Sequence, residues 1–391
     1  MANRIRVCHV ITQLELGGAQ DNTLYTVQSL PQDTYETFLI SGPGGIRDED
    51  ARSKLGSRCQ FFPSLLRSVD PLSDFLAWRA LRRHFKSARY DIVHTHSSKA
   101  GVLGRLAAAS AGVPLVFHTA HGWGFHDCQP VPVRSIFVLC ERLAARCTTK
   151  IIGVSESTVQ KGLAAGIGSP GQYALIRSGI DPRQFREERR QNTEYRDQQK
   201  FHREKFGFRP EAPLVTMVAC LKPQKAPLDF VQLAFHVRKA HPTAQFALAG
   251  DGDLRPALES RLSELGLSDA VRLLGWRSDV PDLLRSSDLL VLTSRWEGLP
   301  RVFLEASAAG LPVVATNVDG AQEAVKEGVN GFLFSPGESE KMAARVSQIL
   351  SDPQMLETLR AGARASWREE FDIRDMVRRI DGLYQTCLKE T

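Results

Sequence analysis

Residues 288–310 read DLLVLTSRWEGLPRVFLEASAAG, and the stretch divides into three parts with different physics. DLLVLTS is a short apolar run without polar alternation, the pattern of a strand covered on both faces of a parallel sheet. Gly298-Leu299-Pro300 is a turn, and Pro300 suits the first turn of a helix, where a missing N–H costs nothing. RVFLEASAA then reads as a helix that ends in a run of small residues. Strand, tight turn and helix in that order build doubly wound α/β domains, whose ligands sit at the carboxyl ends of the strands.

The same unit recurs outward in both directions. Strand candidates in the first half are Arg4–Ile11, Glu36–Ile40, Asp91–His94, Leu115–His118, Ile151–Val154 and Tyr173–Ile176. In the second half they are Leu214–Ala219, Gln245–Ala249, Val271–Leu274, Asp288–Leu292, Pro312–Ala315 and Gly331–Phe334. Helix-length segments separate most of them, so both halves read as parallel α/β domains with right-handed crossovers, facing each other across a cleft. A chain of 391 residues is long enough for two such cores. Past Gly337 the pattern is helical, over Glu338–Leu350, Pro353–Glu370 and Ile373–Lys389. The predicted division is residues 1–182, a charged linker or excursion at 183–212, a second domain at 213–370, and a C-terminal helix at 371–391. Within the linker, Arg183–Lys205 is too polar to be core and reads as a helix or a surface excursion.

Two glutamates frame the turn in the opening stretch. Backbone N–H groups near Leu299–Val302 are placed to bind a pyrophosphate at a helix start. Glu305, about two turns along, returns to the same face, where a carboxylate can accept both hydroxyls of a ribose. Glu297 stays at the sugar end.

With this Glu-x7-Glu element the chain resembles the family-four retaining glycosyltransferases. The resemblance runs from GGAQ at Gly17–Gln20 through DIVHTHSSKAG (Asp91–Gly101), HTAHG (His118–Gly122), VSES (Val154–Ser157), SGID (Ser178–Asp181), AGDGDL (Ala249–Leu254) and LLGWRSDVPDLL (Leu273–Leu284) to SWREEF (Ser366–Phe371). It implies the GT-B fold, two Rossmann-like domains with the C-terminal helix crossing back to the first. By the same resemblance, Glu297 contacts donor-sugar hydroxyls, Glu305 the ribose, and Gly298, Leu299 and Pro300 the sugar and diphosphate. Trp276 and Arg277 lie where the family binds the base. Gly17 and Gly18 follow the first strand, where backbone can approach a phosphate or acceptor closely; a plain turn also explains them. His121 is placed against the sugar's outer hydroxyl or reacting face, and the other histidines at the strand ends read as hydrogen-bonded there. Gly250 and Asp251 belong to a close-approach turn near the nucleotide, and Asp251-Gly-Asp253 is read as that turn and not as a metal site.

One segment departs from the pattern. The family carries an arginine and, five residues later, a lysine that neutralise the leaving diphosphate. In MVACLKPQKAP (Met217–Pro227) Lys225 fits the lysine, whereas Cys220 stands at the arginine. Lys222 is the candidate substitute cation, although a point charge does not replace a bidentate fork.

His121, Lys225 and Glu297 are thus the candidate catalytic residues. The implied activity is retaining transfer of a hexosyl or N-acetylhexosaminyl group from a nucleotide sugar, with uridine diphosphate favoured, to a glycan or lipid-linked acceptor. Neither a metal nor another cofactor is required, the donor being a co-substrate. An epimerase or hydrolase on the same fold, and a non-catalytic nucleotide-sugar-binding protein, are the alternatives. A dinucleotide-dependent dehydrogenase is disfavoured, because neither half has G-x-G-x-x-G after its first strand.

Charge and cysteines bear on the surroundings. Residues 1–180 carry 20 Lys and Arg against 13 Asp and Glu, whereas the remainder carries 30 against 31. The basic half suits an anionic partner such as a phospholipid surface, or else is a scatter of solvated arginines. No nucleic-acid motif accompanies it. Seven cysteines without C-x-x-C spacing, and no 20-residue apolar stretch, suggest a reducing cytoplasm and possible work at the membrane's inner face. The segment PLSDFLAWRALRRHFK (Pro71–Lys86) mixes Leu72, Phe75, Leu76 and Trp78 with arginines; it docks on a membrane or packs its apolar face on the sheet.

Overall fold

The computed structural model describes residues 4–186, 199 and 202–390, so most of the charged segment 187–201 lies outside the described residues. The chain forms two compact units, one of residues 1–179 with 370–391 and one of residues 180–369.

The first unit holds seven strands: β1 (Ile5–Gln13), β2 (Tyr35–Gly42), β3 (Cys59–Phe61), β4 (Ile92–His96), β5 (Leu115–Ala120), β6 (Lys150–Gly153) and β7 (Tyr173–Leu175). They pair in the order β3-β2-β1-β4-β5-β6-β7, parallel at every pairing. Chain order reverses between β1 and β4, which places a topological switch point at their carboxyl ends. One face is covered by the helices Pro71–Ala88 and Ser98–Ala111, whose Ala77, Leu81, Phe85, Ala100 and Ala107 join one apolar cluster with Val10 and Val93.

The C-terminal helix Ile373–Glu390 belongs to this first unit. Its stripe of Ile373, Met376, Val377, Ile380, Tyr384 and Cys387 follows the 3-4-7 helical spacing and buries against Val7, Tyr35, Ile92 and Phe117. Tyr35 Oη donates to Asp381 at 2.7 Å and accepts from Gln385 at 2.7 Å. Gly179 permits the helix to start there, since a Cβ on it would stand 2.4 Å from Ile373 Cα. Arg177 clamps the same junction, bonding Glu370 and Glu156 at 2.9 Å each.

The second unit holds β8 (Leu214–Val218), β9 (Gln245–Ala249), β10 (Val271–Gly275), β11 (Leu289–Leu292), β12 (Val313–Thr316) and β13 (Gly331–Phe334), ordered β10-β9-β8-β11-β12-β13. All pairings are again parallel. Here the switch point falls between β8 and β11. The pair of doubly wound parallel sheets, each with flanking helices, and the returning C-terminal helix make up the GT-B architecture.

Three expectations are corrected. The helix from Pro353 ends at Ala365, not Glu370, and Arg368 then reaches the Glu323 carbonyl at 2.7 Å. In Pro71–Ala88 the buried stripe is Ala77, Leu81 and Phe85, leaving Leu72, Phe75 and Leu76 exposed. The stretch Arg183–Lys205 is not wholly surface. Gln199 and Arg203 are buried, and the Arg203 guanidinium bonds the carbonyls of Ser286, Pro210 and Ala212 and pairs with Asp288 at 2.7 Å. Four acceptors offset its desolvation, as a buried arginine requires.

Candidate functional site

In the second unit, the loops after β8 and β11 flank the switch point, the place where doubly wound sheets bind ligands. They carry Lys225 and Glu297, which sequence reading had singled out and which the fold brings into contact. Lys225 Nζ lies 2.5 Å from Glu297 Oε1. The same oxygen accepts from Ser294 Oγ at 2.6 Å, while the Glu297 amide donates to Asp319 at 2.6 Å. The two loops are stitched by main chain as well. The Arg295 amide donates to the Gln224 carbonyl at 2.7 Å, and Gln224 Nε2 to the Trp296 carbonyl at 2.9 Å. Ala226 and Asp319 hold positive φ angles of 43° and 42°. Side chains other than glycine adopt that region at a cost, and such residues gather where a loop is shaped for function.

Helix Arg301–Ala309 starts at the same edge. Pro300 is its N-cap, one position earlier than a first-turn residue, and no side chain caps the end. Its leading amides are therefore not claimed by a capping side chain. Gly298 accepts from the Gly320 amide at 3.0 Å, which holds the turn against the loop after β12. Glu305 lies one turn past Arg301, 3.4 Å from its guanidinium. Burial raises the Glu305 carboxyl above the usual range, with Arg301 opposing, and the same burial lowers Arg301.

Gly250 and Asp251 follow β9. Gly250 has φ +136°, and a Cβ on it would stand 1.9 Å from the Ala219 carbonyl. The close approach is thus to the loop carrying Cys220, whose neighbour Leu221 donates its amide to Asp251. Asp251 pairs with Arg255 at 3.0 Å. Arg277 pairs with Asp279 at 2.6 Å, and Trp276 beside it is 40% exposed at the end of β10. Cys220 and Lys222 are half-buried in the loop that leads to Lys225.

In the first unit, Gly17 is the N-cap of helix Gly18–Ser29 and no side chain caps it. Its φ of 174° is ordinary extended backbone, and an added Cβ would meet only the carboxamide of Gln20, so its geometry does not demand glycine. Toward the end of β1, Thr12 Oγ1 bonds Ser97 Oγ at 2.7 Å and accepts from the Ala100 amide at 3.1 Å. Ser97, with φ +61°, is the third strained residue at a strand's carboxyl end. His121 follows β5, partly exposed, with Nε2 3.2 Å from His96 Nδ1.

The strand-end histidines, expected only to be hydrogen-bonded there, include His94, His96 and His118; His9 has no place in that expectation. All four are buried. His9, His94 and His96 offer ring nitrogens close enough to suit a metal ion. Those nitrogens are largely committed, however: His94 bonds Tyr384 Oη and Thr119 Oγ1, and His96 bonds His9 and His121.

Comparison with known proteins agrees with this architecture. Residues 198–366 match the family described as glycosyl transferases group 1, and residues 17–179 the glycosyl transferase 4-like domain. A UDP-Gal:alpha-D-GlcNAc-diphosphoundecaprenol alpha-1,3-galactosyltransferase of Escherichia coli is 31% identical over 385 residues, covering 98% of this chain and 97% of the relative. Among solved structures, Anabaena Alr3699/HepE in complex with UDP-glucose superposes with a TM-score of 0.82 at 23% identity, over 98% of this chain and 100% of that one. Sucrose-phosphate synthase of Thermosynechococcus elongatus does so with a TM-score of 0.84 at 18% identity, over 99% and 100%. These two likenesses concern the fold. With the full-length match to the Escherichia coli enzyme added to the two family matches, the chain belongs to the GT-B glycosyltransferases of the group 1 and 4-like families, enzymes that move a sugar from a nucleotide-diphosphate donor to an acceptor.

Proposed function

We propose that the protein transfers a hexose, with retention, from a UDP-sugar to a diphosphate-linked lipid acceptor at the inner face of a membrane. The observation that carries the donor half is the Lys225–Glu297 pair at the β8/β11 switch point, beside the uncapped start of helix Arg301–Ala309. A nucleoside diphosphate leaving group needs fixed cations and N–H donors where its charge develops. Lys225, with Lys222 as second cation, and the amides of Leu299 to Val302 supply them. Glu297 takes donor-sugar hydroxyls, Glu305 the ribose, and Trp276 the base, with Gly298 and Pro300 shaping the turn. By the family resemblance, His121 is the histidine assigned to the transferred sugar. In the reaction the acceptor oxygen bonds the anomeric carbon on the face from which the phosphate oxygen departs. The acceptor proton passes to that leaving oxygen, so no protein nucleophile or metal enters the step.

The acceptor half draws on the Escherichia coli relative, whose name specifies a GlcNAc-diphosphoundecaprenol acceptor, and on the surface of the first unit. Helix Val131–Ala145 exposes Val131 at 74%, Ile136 at 61% and Leu139 at 55%, interleaved with exposed Arg134 and Arg142. Helix Pro71–Ala88 adds exposed Leu72, Phe75 and Leu76 beside Arg79, Arg82 and Arg83. Apolar side chains rimmed by arginine suit an anionic lipid surface. Among the described residues no helix is long and apolar enough to cross a membrane.

The test is thermal stabilisation by a panel of nucleotide sugars, followed by transfer of labelled sugar to an undecaprenyl-diphosphate GlcNAc acceptor. UDP-sugars are expected to raise Tm, and Glu305→Ala and Lys225→Ala to abolish the shift. A panel without any shift at millimolar donor would sink the donor assignment. Donor binding without turnover would point instead to a non-catalytic protein, with Cys220 in place of arginine as the cause.

A further inference from the structure

In helix Arg301–Ala309 a cation stands where helix physics disfavours one. Arg301 is the first residue of the helix, directly after the N-cap Pro300, at the end where the backbone dipole is positive. Its partner Glu305 lies one turn further on, so the pair runs basic to acidic, the weaker order for a helical ion pair. Helix stability therefore gives no reason for an arginine here.

The surroundings of Glu305 give one. The Arg301 guanidinium lies 3.4 Å from Glu305 Oε1, and the two side chains are only 16% and 12% exposed. So little water is a poor solvent for a bare carboxylate, and the burial pushes the Glu305 carboxyl up while Arg301 opposes the push. Three helices pack against this one and bring charges with them: Val280–Ser286, Ala321–Ala324 and Pro353–Ala365. Arg285 pairs with Asp282, and Arg360 with Asp288 and Glu357 at 2.8 Å each. Glu323 and Arg364 complete the set, the latter lying over Gly310 at the far end of the helix. In the loops, Lys225 and Glu297 are taken up with each other. Among the described residues only Arg301 bears electrostatically on Glu305, and none donates a side-chain hydrogen bond to it. Glu297 Oε1, by contrast, already accepts from Ser294. At 3.4 Å, longer than a normal hydrogen bond, the guanidinium lends Glu305 charge and leaves its lone pairs for a ligand.

We propose that Arg301 is the counter-ion that keeps Glu305 an anion for the ribose diol of the donor. It is a positioning residue, acting through Glu305 and not on the nucleotide itself. An ionised carboxylate binds hydroxyls about twice as strongly as a neutral group does, and a protonated one loses part of its acceptor capacity. The inference rests on the ribose reading of Glu305 given above, and the two fail differently.

The experiment is calorimetric titration of the full-length protein with UDP and with dideoxyuridine diphosphate, which lacks the ribose hydroxyls. Wild type, Arg301→Gln, Arg301→Lys and Glu305→Gln are compared across about pH 6 to 9, a span that covers buried glutamates. Arg301→Gln removes the charge and leaves Glu305 to the push of burial, so Glu305 is protonated at the acid end and ionises as the pH rises. Relative to wild type at each pH, UDP binding by Arg301→Gln is expected to be about tenfold weaker near pH ~6, the scale of turning charged hydrogen bonds into neutral ones. It recovers toward pH ~9, where Glu305 is again an anion. Arg301→Lys, which restores the charge, restores the wild-type profile. The dideoxy analogue binds Arg301→Gln and wild type alike. Arg301→Met takes the place of Arg301→Gln should the latter not fold. No loss in the neutral variant, a loss that is the same at every pH, or one as large for the dideoxy analogue as for UDP would each overturn the counter-ion role alone. Equal binding of UDP and its dideoxy analogue by wild type, or unchanged UDP binding by Glu305→Gln, would overturn the ribose reading and the proposal with it.

Discussion

Lys225 and Glu297 stand 72 residues apart, and the loops after two neighbouring strands carry them to a 2.5 Å bond. Their loop depends on Gly250, which presses its backbone on Ala219 at φ +136°. Gly250→Ala adds a Cβ with no room at 1.9 Å from a carbonyl and in a conformation that L residues avoid. A loss of roughly 1–3 kcal/mol of stability is expected, read by urea unfolding, together with weaker donor stabilisation as the Lys225 loop shifts. Unchanged stability would mean that the loop relaxes freely and does not brace the site. At this scale the Glu-x7-Glu element was legible because strand, turn and both carboxylates lie within one short stretch. The role of Gly250 was not, since its partner comes from another loop. His9 was invisible for the same reason, lying 87 residues from His96. Arg203 was misjudged because a charged run reads as solvated until its carbonyl acceptors are known.

Among the elements, parallel strands announced themselves as unbroken apolar runs, and twelve of them were legible with boundaries off by a residue or two. The exception, β3, is the three-residue edge strand Cys59–Phe61, whose central glutamine leaves no unbroken apolar run to read. Helix faces were harder. In Pro71–Ala88 both an inner stripe and an outer apolar patch exist, and composition cannot say which one meets the sheet. In Val131–Ala145 only Glu141, Ala144 and Ala145 are buried. There Glu141 pairs with buried Arg105 at 2.5 Å, and Phe137 and Val138 pack on a core cluster, while Val131, Val133, Ile136, Leu139 and Leu143 stay exposed. Replacing Ile136 and Leu139 by Asn is therefore expected to change stability by no more than about 0.5 kcal/mol each, as at other exposed sites. The same pair of changes should weaken sedimentation with phosphatidylglycerol vesicles and slow transfer to a lipid-linked acceptor, while transfer to a short soluble analogue is kept. Equal vesicle binding by variant and wild type would remove this helix from the membrane reading.

For the whole molecule the buried histidines set an asymmetry between the units. His9, His94, His96 and His118 all lie in the first unit, and burial is the main cause holding each of them below the ordinary histidine value. Among its described residues the second unit has no comparable row of buried imidazoles. In the unfolded chain these groups take up protons near pH ~6.5. The folded first unit refuses them, so its stability is fully present above that value and is lost progressively as the pH falls through it toward the depressed folded values. Each group accounts for about 1.4 kcal/mol per pH unit at full slope. Four together compare with the whole stability of a domain, roughly 5–15 kcal/mol. Acidification from pH 7.5 to 5.5 should therefore open the first unit before the second. Limited proteolysis with an enzyme active at both values, mapped by mass spectrometry, is expected to place the first cuts at pH 5.5 within residues 4–179. First cuts in residues 202–369, or a pattern indifferent to pH, would mean that the imidazoles take up protons without unfolding.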